Sequence, residues 1–362
     1  MVEEIANYSV CVFPELSPYS KIGQEWEALV MDNEASGFMQ SLHWARFKRR
    51  QGLAVVHLGL LEGENLAGGC IFYTAKNNRG AGFLVATEGP VLPWSEPKLA
   101  QLGMRLLVAE AEKLANSCGV MALRIEPRIA PPPPTSMRGF GRSPVDLIPQ
   151  ETLYVDLAVD ETEILTRMKP KGRYNIGISE RKGIVVTESA DPASVERFYS
   201  IVLEASRRDH FLLEPLPFFQ ELAKTLCKTG VARFLFAEHD GDTLGAMLLI
   251  TYGSRATYLY GGVSNLKRNL MAGYALQWQA MRIAKQAGCR TYDFYGFDQF
   301  QAPTNNYARF SRFKSTFGGN AARFIGAHDY YFMDNLVDAF VKVVAELQTP
   351  IDTKHRELSS RG

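Results

Sequence analysis

Residues 258–298 constrain the fold of this 362-residue chain most, because they predict a complete strand–loop–helix–strand unit. The aromatic run YLY at 258–260 favours a strand, and the two glycines that follow end it. Apolar residues then recur at helical spacing over 272–287. Gly288 suits the position after a helix, where a positive φ is needed. The segment TYDFY at 291–295 completes the unit as a buried strand.

A second copy of this unit lies about half a chain earlier. A helix is predicted over 99–115, with Ser95 as its N-cap and Gly119 at its end. The segment VMALRIE at 120–126 then follows as a strand. Helix and strand therefore repeat in the same order as in the later unit.

Matching hairpins precede the two helices. One spans 58–73 around the turn EGE, and the other spans 235–252 around the turn DGD. A glycine turn between apolar runs is a strong hairpin signal. The repeated order of elements predicts an internal duplication, and so an α+β protein made of two tandem copies of one domain.

The composition limits the class of protein. A length of 362 residues suits two domains, each large enough for its own core. The net charge of +1 gives no overall attraction to nucleic acid or membranes, so a polyanion must be met by a local basic patch. Five scattered cysteines without a CxxC pair favour reduced thiols in a cytoplasmic protein. The histidines lack metal-ligand spacing, and we expect neither a signal peptide nor a membrane span.

The remaining segments predict further elements of both copies. The strand over 152–157 opens the second copy, and a strand beginning at 323 is followed by a terminal helix over 333–347. The four prolines at 131–134 predict an extended surface loop. Further helices are predicted over 22–31, 42–50, 161–167, 193–206 and 217–227.

Two groups of basic residues are candidates for contacts with phosphate. The first is a run of five bases, Lys169, Lys171, Arg173, Arg181 and Lys182. It reads either as a solvated helix face or as a phosphate-contacting surface. The second, Lys267 and Arg268, precedes the helix over 272–287, whose N-terminus is a natural place for an anion.

The order of elements is that of an N-acetyltransferase-type (GNAT) acyltransferase fold. In that fold a glycine-rich loop before the long helix binds the pyrophosphate of coenzyme A. The loop here, SNLKRNLMA at 264–272, has no glycine, and the first copy has an acid and a proline there. The fold prediction therefore stands without support for coenzyme A, and we expect no cofactor.

The chain resembles the FemABX-type aminoacyl-tRNA-dependent peptidyltransferases, which form peptidoglycan interpeptide bridges. The motifs that carry the resemblance extend over most of the chain. They are FMQSLHWARFK at 38–48, ALRIEP at 122–127, GFGRS at 139–143 through TLYVDL at 152–157, RYNI at 173–176, RKGI at 181–184, RDHF at 208–211, YLYGG at 258–262, LQW at 276–278, YDFYG at 292–296 and FKSTFGG at 313–319. Their order and spacing together are specific, although His210 replaces a glycine usual in the family.

The resemblance implies two GNAT-like domains facing a cleft. The first would comprise residues 1–152 plus about 322–362, and the second residues 153–321. The implied reaction moves an amino acid from aminoacyl-tRNA to an amine of a peptidoglycan precursor, either UDP-linked or lipid-linked. A lipid-linked acceptor implies peripheral contact with the membrane. Some members carry a long coiled-coil arm, for which the segment between Arg181 and Arg208 leaves no room.

The resemblance also assigns roles to single residues. Lys314 matches a lysine near the reacting carbonyl, where a cation stabilises the oxyanion or the leaving oxygen. Lys48 and Arg208 match positions that meet the diphosphate of the precursor.

Other site residues are predicted with their alternatives. Trp44 and Tyr260 are candidates for substrate binding, although a buried strand tyrosine is an equal interpretation of Tyr260. Asp293 and Asp298 are candidates for deprotonating the attacking amine, and a structural role is favoured for Asp293 because it lies within a strand. The bases Lys169, Lys171, Arg173, Lys267 and Arg268 are candidates for contacts with tRNA.

Two alternatives remain open at this point. The chain is alternatively an N-acyltransferase that uses acyl-CoA or an acyl-carrier protein in another envelope or polysaccharide pathway. The missing loop glycines disfavour coenzyme A but not a carrier protein. A twin-domain binding module without catalysis is the third interpretation.

Overall fold

A computed structural model describes residues 7–76, 82–189, 191–300 and 307–332. The strands are β1 (Tyr8–Phe13), β2 (Val55–Glu62), β3 (Asn65–Lys76), β4 (Gly82–Thr87), β5 (Val120–Glu126), β6 (Gly141–Arg142), β7 (Glu151–Asp156), β8 (Val185–Ser189), β9 (Ala232–His239), β10 (Asp242–Tyr252), β11 (Arg255–Val263), β12 (Thr291–Asp293), β13 (Asn320–Arg323) and β14 (His328–Tyr331). The helices are α1 (Lys21–Asp32), α2 (Leu42–Arg50), α3 (Pro97–Cys118), α4 (Glu161–Arg167), α5 (Pro170–Arg181), α6 (Pro192–Asp209), α7 (Leu216–Leu222), α8 (Ala272–Gln286) and α9 (Ala308–Lys314).

The strands form two seven-stranded sheets of the same design. The first sheet has the order β1-β2-β3-β4-β5-β14-β6, and the second has the order β8-β9-β10-β11-β12-β7-β13. In each sheet a run of antiparallel strands leads to one parallel pair, β4–β5 in the first and β11–β12 in the second. The long helices α3 and α8 connect these parallel pairs. The predicted α+β duplication and the tandem GNAT-like fold are therefore confirmed.

The chain crosses twice between the sheets. β7 follows the first copy in sequence but pairs with β12 in the second sheet, and β14 returns to pair with β5 and β6 in the first. The single strand expected from residue 323 onward is wrong, because two strands in different sheets, β13 and β14, occupy the region. The boundaries expected at 152/153 and about 322 fall within β7 and β13. The helix predicted over 333–347 lies outside the described residues.

The ends of helices and strands predicted from the sequence agree with the structure in part. Gly119 and Gly288 both have positive φ, 64° and 86°, at the ends of α3 and α8 as predicted. Ser95 is not the N-cap of α3, since that position belongs to Glu96, whose side chain makes no capping hydrogen bond. The strand expected over 291–295 ends at residue 293, and Tyr295 has a φ of 45°. That residue begins a turn instead of extending the strand.

Three apolar cores hold the molecule together. One lies between the first sheet and α3, and another lies between the second sheet and α8. The third combines α1 and α2 of the first copy with α6, α7 and the second sheet of the other. In this shared core the rings of Phe47 and Phe218 meet edge to face, with centroids 5.1 Å apart. The two copies are thus packed directly on one another.

Candidate functional site

The ammonium group of Lys48 lies in an aromatic cage formed by Trp44, Phe47, Tyr73 and Phe218. Its Nζ lies 4.9, 5.6, 4.8 and 6.0 Å from the respective ring centroids. Ring faces attract a cation but leave its hydrogen-bond donors unused. No hydrogen bond or ion pair engages Nζ within the described part of the chain. Burial lowers the pKa of Lys48 to about 8, while the charge of Glu214 acts in the opposite direction.

The cage joins the two copies and continues to Tyr260. Trp44, Phe47 and Lys48 come from α2, whereas Phe218 comes from α7. Tyr260 packs edge to face against Phe219, with centroids 5.1 Å apart, and lies 6.4 Å from the ring of Phe218. Burial, followed by the charge of Glu214, raises the pKa of Tyr260. Three residues predicted to bind substrate, Lys48, Trp44 and Tyr260, are thus brought together.

Trp44 is a buried member of this group, 4% exposed. The side chain of Ser41 caps α2 by accepting from the Trp44 backbone N–H at 3.1 Å, which fixes the start of the helix. The indole Nε1 is buried without a hydrogen-bond partner in the part of the chain that the structure describes. Trp44 therefore forms a wall of the aromatic cage.

Arg208 lies at the end of α6 and already has partners. Its guanidinium contacts the Asp209 carboxylate, at 2.6 Å from Nη2, and Nη1 donates to the carbonyl of Val263 at 2.8 Å and to Asn265 at 3.1 Å. These contacts tie α6 to the loop before α8. A ligand phosphate at Arg208 would have to compete with Asp209. The predicted role of Arg208 on the diphosphate stays a prediction.

Lys314 is buried at the end of α9, only 6% exposed. Its Nζ donates to the backbone carbonyls of Phe294, Tyr295 and Gly296, at 2.9, 2.7 and 2.7 Å. The predicted role of Lys314 near the reacting carbonyl stays a prediction. Burial lowers the pKa of Lys314 to about 7, and the charge of Asp293 raises it. Three accepting carbonyls require three donated hydrogens, so this geometry favours the protonated form, which holds the turn after β12.

The two aspartates near this turn are both buried. Asp298 is 3% exposed, and its Oδ1 accepts from the backbone N–H of Phe300 at 3.0 Å. The Asp293 carboxylate accepts from Tyr295 N–H at 2.9 Å and contacts Thr152 and Arg128. The Asp293 carboxylate is thus occupied by structural contacts. The role of Asp298 as a base stays a prediction.

Arg128 connects the two copies beneath the site. Its Nη2 lies 2.6 Å from Asp293 Oδ2 and 2.6 Å from the Tyr154 hydroxyl, and its Nη1 lies 3.2 Å from Glu88 Oε1. Glu88 follows β4 of the first sheet, whereas Asp293 ends β12 of the second. The side chains of Arg128, Glu88 and Asp293 are at most 2% exposed. This buried network sets the position of the turn that Lys314 holds.

The predicted phosphate-contacting bases lie on or beside α5 and on the loop before α8, and α5 packs against α8. Lys169 Nζ lies 3.1 Å from Ser315 Oγ, and Arg173 caps carbonyls at the end of α4. Lys171 and Arg268 are exposed. Lys267 pairs with Asp242 at 2.8 Å on the surface. The structure brings these bases to neighbouring elements, and their contact with RNA stays a prediction.

A large cavity lies away from the aromatic cage around Lys48. It has a volume of about 1120 Å³ and is lined by residues of both copies, among them Arg255 and Arg290 at the amino ends of β11 and β12. Tyr260 and the turn held by Lys314 lie at the carboxyl ends of the same strands. None of the predicted site residues lines the cavity. In open α/β sheets ligands bind outside the carboxyl ends of the parallel strands, so we place the candidate site at the aromatic cage, next to Tyr260.

Several residues of the site escaped the sequence analysis. Tyr73, Phe218 and Glu214 surround Lys48 but lie far from it in sequence, and Arg128 carries no local motif. The described residues contain no metal-binding group of histidine, cysteine or carboxylate side chains. Among those residues there is also no helix long and apolar enough to span a bilayer.

Comparison with known proteins gives two family matches. Residues 23–131 match the FemAB family, and residues 171–314 match the acetyltransferase (GNAT) domain. The lipid II:glycine glycyltransferase of Staphylococcus haemolyticus (strain JCSC1435) is 21% identical, over 90% of this chain and 95% of that protein. Its counterpart in Staphylococcus aureus (strain MRSA252) is 19% identical over the same shares.

Solved structures agree on the fold. The crystal structure of FemX has a TM-score of 0.78 at 19% identity, covering 88% of this chain and 98% of FemX. A tandem GNAT protein from the clavulanic acid biosynthesis pathway has a TM-score of 0.54 at 14% identity, covering 89% of this chain and 98% of that one. The resemblance to the FemABX type found in the sequence is confirmed, and the chain is an acyltransferase-class enzyme with two GNAT-like domains.

Proposed function

We propose that this enzyme transfers an amino acid from aminoacyl-tRNA to an amine of a peptidoglycan precursor stem peptide. The observation that carries the proposal is the aromatic cage around Lys48. It presents, where the two copies meet, an ammonium group whose Nζ makes no hydrogen bond or ion pair in the described part of the chain, and such a group can bind a diphosphate. The names of the relatives, lipid II:glycine glycyltransferases, support the same acceptor class.

The proposed reaction is aminolysis of an ester. The acceptor amine attacks the aminoacyl carbonyl, negative charge develops on its oxygen, and the ribose oxygen leaves. Lys48 and Arg208 would hold the diphosphate of the precursor, with Tyr260 beside the sugar or peptide. The enzyme contributes by positioning the reactants and stabilising charge.

Lys314 serves this reaction by holding the turn at 294–296. All three ammonium hydrogens are donated to backbone carbonyls, so Lys314 would act on the reactants by fixing the position of that turn. We therefore treat Lys314 as a positioning residue in the proposed mechanism.

The donor side of the proposal rests on the exposed bases of α5 and of the loop before α8. In that loop Lys267 and Met271 have positive φ, 44° and 61°, at positions where a phosphate-binding loop would use glycine. Both positions therefore carry a side chain where such a loop has none. This supports a donor held by surface charge, as tRNA is, over acyl-CoA.

A transfer assay tests the proposal. Purified protein is incubated with charged total tRNA, labelled amino acids and either UDP-MurNAc-pentapeptide or lipid II. We expect label in the precursor, abolished by prior RNase treatment. Transfer that survives RNase and depends on acyl-CoA or an acyl-carrier protein would establish the alternative N-acyltransferase. Binding of UDP-MurNAc-pentapeptide without transfer from any donor would establish a binding module.

A further inference from the structure

The helix α5 exposes a tyrosine between two basic residues. Tyr174 is 65% exposed, and Lys171 and Arg181 are exposed on the same helix. Residues three and seven positions apart lie on one side of a helix, so these three side chains form a strip along α5. The buried residues of the helix lie on its opposite face: Gly172, Asn175, Ile176 and Ser179. We call Lys171, Tyr174 and Arg181 the α5 strip.

The side chains of the α5 strip are available to a ligand. Among the residues that the structure describes, no hydrogen bond or ion pair engages any of the three side chains. The Arg181 guanidinium is folded back along the helix toward Tyr174, because its Nη1 lies only 3.0 Å from where a Cβ on Gly177 would be. Arg173, in contrast, donates to the carbonyl of Thr166 at 3.2 Å and is not part of the strip.

The surroundings of the α5 strip are basic. Residues 169–182 contain five basic residues and one acid, whereas residues 264–274 contain two and residues 307–319 contain three, without an acid in either. These segments are neighbours, since α5 packs against α8 and against the turn Ser315–Phe317. A protein of net charge +1 thus concentrates positive charge in one place, which favours a polyanionic partner there.

The amino end of α5 lies beside the turn that Lys314 holds. Gly172 packs directly on the residues that follow Lys314, because a Cβ on Gly172 would come within 2.3 Å of the Thr316 carbonyl oxygen. The Lys169 N–H donates to the same oxygen at 3.0 Å. Lys314 in turn donates to the carbonyls of residues 294–296. The α5 strip therefore begins next to the turn that the proposed mechanism places at the reactants.

We infer that the α5 strip binds the unpaired 3′ end of the donor tRNA, with a base stacked on Tyr174 and phosphates held by Lys171 and Arg181. The inference rests on the proposed function, because it presumes an RNA donor. An exposed aromatic ring flanked by cations is how proteins hold single-stranded nucleic acid, since every base has a face that stacks and every linkage has a charge. A single tyrosine without other exposed apolar side chains on α5 offers little area to a membrane.

The geometry of α5 sets the direction of the strand. Lys171 and Arg181 lie about 15 Å apart along the helix axis, from the rise of about 1.5 Å per residue. That is about four steps of a stacked strand at about 3.4 Å each, the length of the unpaired 3′ end of a tRNA. Because the amino end of α5 lies nearest to Lys314, the 3′ terminus lies at Lys171 and the paired stem begins beyond Arg181.

The test compares two RNA hairpins with the same paired stem. One carries an unpaired 3′ ACCA tail and the other is blunt. Affinities for the wild-type protein and its variants are measured by fluorescence anisotropy between 50 and 200 mM salt. We expect the wild-type protein to bind the tailed hairpin more tightly than the blunt one, by about 10-fold or more, because only the tail can stack.

The variants separate stacking from charge. Tyr174→Ala should weaken binding of the tailed hairpin by about 5- to 150-fold and leave the blunt hairpin unchanged, whereas Tyr174→Phe should bind like wild type. Lys171→Met and Arg181→Met should each reduce the slope of log affinity against log salt by about 0.7 for the tailed hairpin. Tyr19→Ala, at a tyrosine that is 82% exposed in the first copy, is the matched control.

The transfer assay gives an independent readout. Tyr174→Ala should raise the KM for charged tRNA by a factor similar to its loss of affinity for the tailed hairpin. The KM for the precursor should stay as in wild type, because the α5 strip contacts only the donor. A change in the KM for the precursor alone would overturn the inference.

The outcomes separate this inference from the proposed function. A wild-type protein that binds neither hairpin contradicts the RNA donor, and with it the proposed function. Equal binding of the two hairpins by wild type, or a Tyr174→Ala protein with wild-type affinity for the tailed hairpin, overturns only the role of the α5 strip. So does a Tyr174→Ala protein that loses binding to anionic lipid vesicles but keeps its affinity for RNA. Should Tyr174→Ala fail to fold, Arg181→Met decides, and an unchanged salt slope would overturn the inference.

Discussion

Arg128 Nη2 and Asp293 Oδ2 lie 2.6 Å apart across the boundary between the two sheets, fully buried. The chain around Arg128 belongs to the first copy, and Asp293 ends β12 of the second. Through Asp293 the contact reaches the turn at 294–296, which Lys314 caps. The junction of the copies and the geometry of the candidate site therefore share one buried polar network.

The first prediction concerns this network. Arg128→Met removes the cation and leaves the carboxylates of Glu88 and Asp293 buried without compensation. Loss of one partner from a buried ion pair destabilises a protein by about 3–5 kcal/mol. Urea unfolding should show this loss, whereas Arg167→Met, at an exposed surface pair, should change stability little. Equal stability of the two variants would contradict the assigned role of Arg128.

The second prediction concerns Lys48. Lys48→Met keeps the apolar stem in the aromatic cage and removes the charge. The affinity for UDP-MurNAc-pentapeptide should fall by about 10- to 100-fold at low salt, and less at high salt. Arg46→Met, on the exposed side of the same helix, is the matched control and should bind like wild type.

The same residue gives a pH dependence. Lys48 has a pKa of about 8 and must be charged to hold a diphosphate. Affinity for UDP-MurNAc-pentapeptide acetylated on its stem-peptide amine should therefore decline above pH 8 in wild type, and Lys48→Met should show no such decline. An affinity that is constant up to pH 10 in wild type would argue against Lys48 as the anchor.

The third prediction concerns Lys314. Lys314→Met leaves three buried carbonyls without their donor, so unfolding free energy should fall by at least about 1–3 kcal/mol. Single-turnover transfer measured well below the melting temperature should also fall, because the turn at 294–296 relaxes. Lys228→Met, at an exposed position, is the control for the melting curve. Unchanged melting with reduced transfer would instead assign Lys314 a direct part in the chemistry.

The fourth prediction concerns stability at mildly acidic pH. Burial, followed by the charge of Arg49, lowers the pKa of His57 to about 3, so the folded protein keeps this ring neutral. In the unfolded chain His57 takes up a proton below about pH 6.5. Stability should fall as pH drops from 6.5 toward 3, by up to about 1.4 kcal/mol per unit from this group. His57→Asn should reduce that slope in urea titrations, and an identical slope would contradict a neutral buried His57.

The sequence predicts those parts of the molecule that have a local signal. The hairpin turns carry Gly63 and Gly241, both with positive φ, and the helices α2 and α8 have clear apolar periodicity. The strands β1 and β8 were missed because they lie at the sheet edges, half exposed and short. Nothing in the spacing alone shows that residues 320–331 are divided between two sheets.

The residues of the candidate site likewise include some with a local sequence signal and others that only the fold brings together. The segment around Lys48 has a recognisable motif, but the other walls of its cage, Tyr73 and Phe218, come from β3 and α7 and meet it only in the folded chain. Lys314 also lies in a recognisable motif, yet its burial and its three carbonyl contacts depend on how α9 packs against the turn after β12.

The most direct test of the central claim is a crystal structure of the protein with UDP-MurNAc-pentapeptide. The account predicts the diphosphate beside the aromatic cage, with a phosphate oxygen about 2.7–3.2 Å from Lys48 Nζ. It also predicts the stem peptide running past Tyr260. A precursor bound instead in the cavity lined by Arg255 and Arg290, with no contact to Lys48, would contradict the placement of the active site and the function proposed for it.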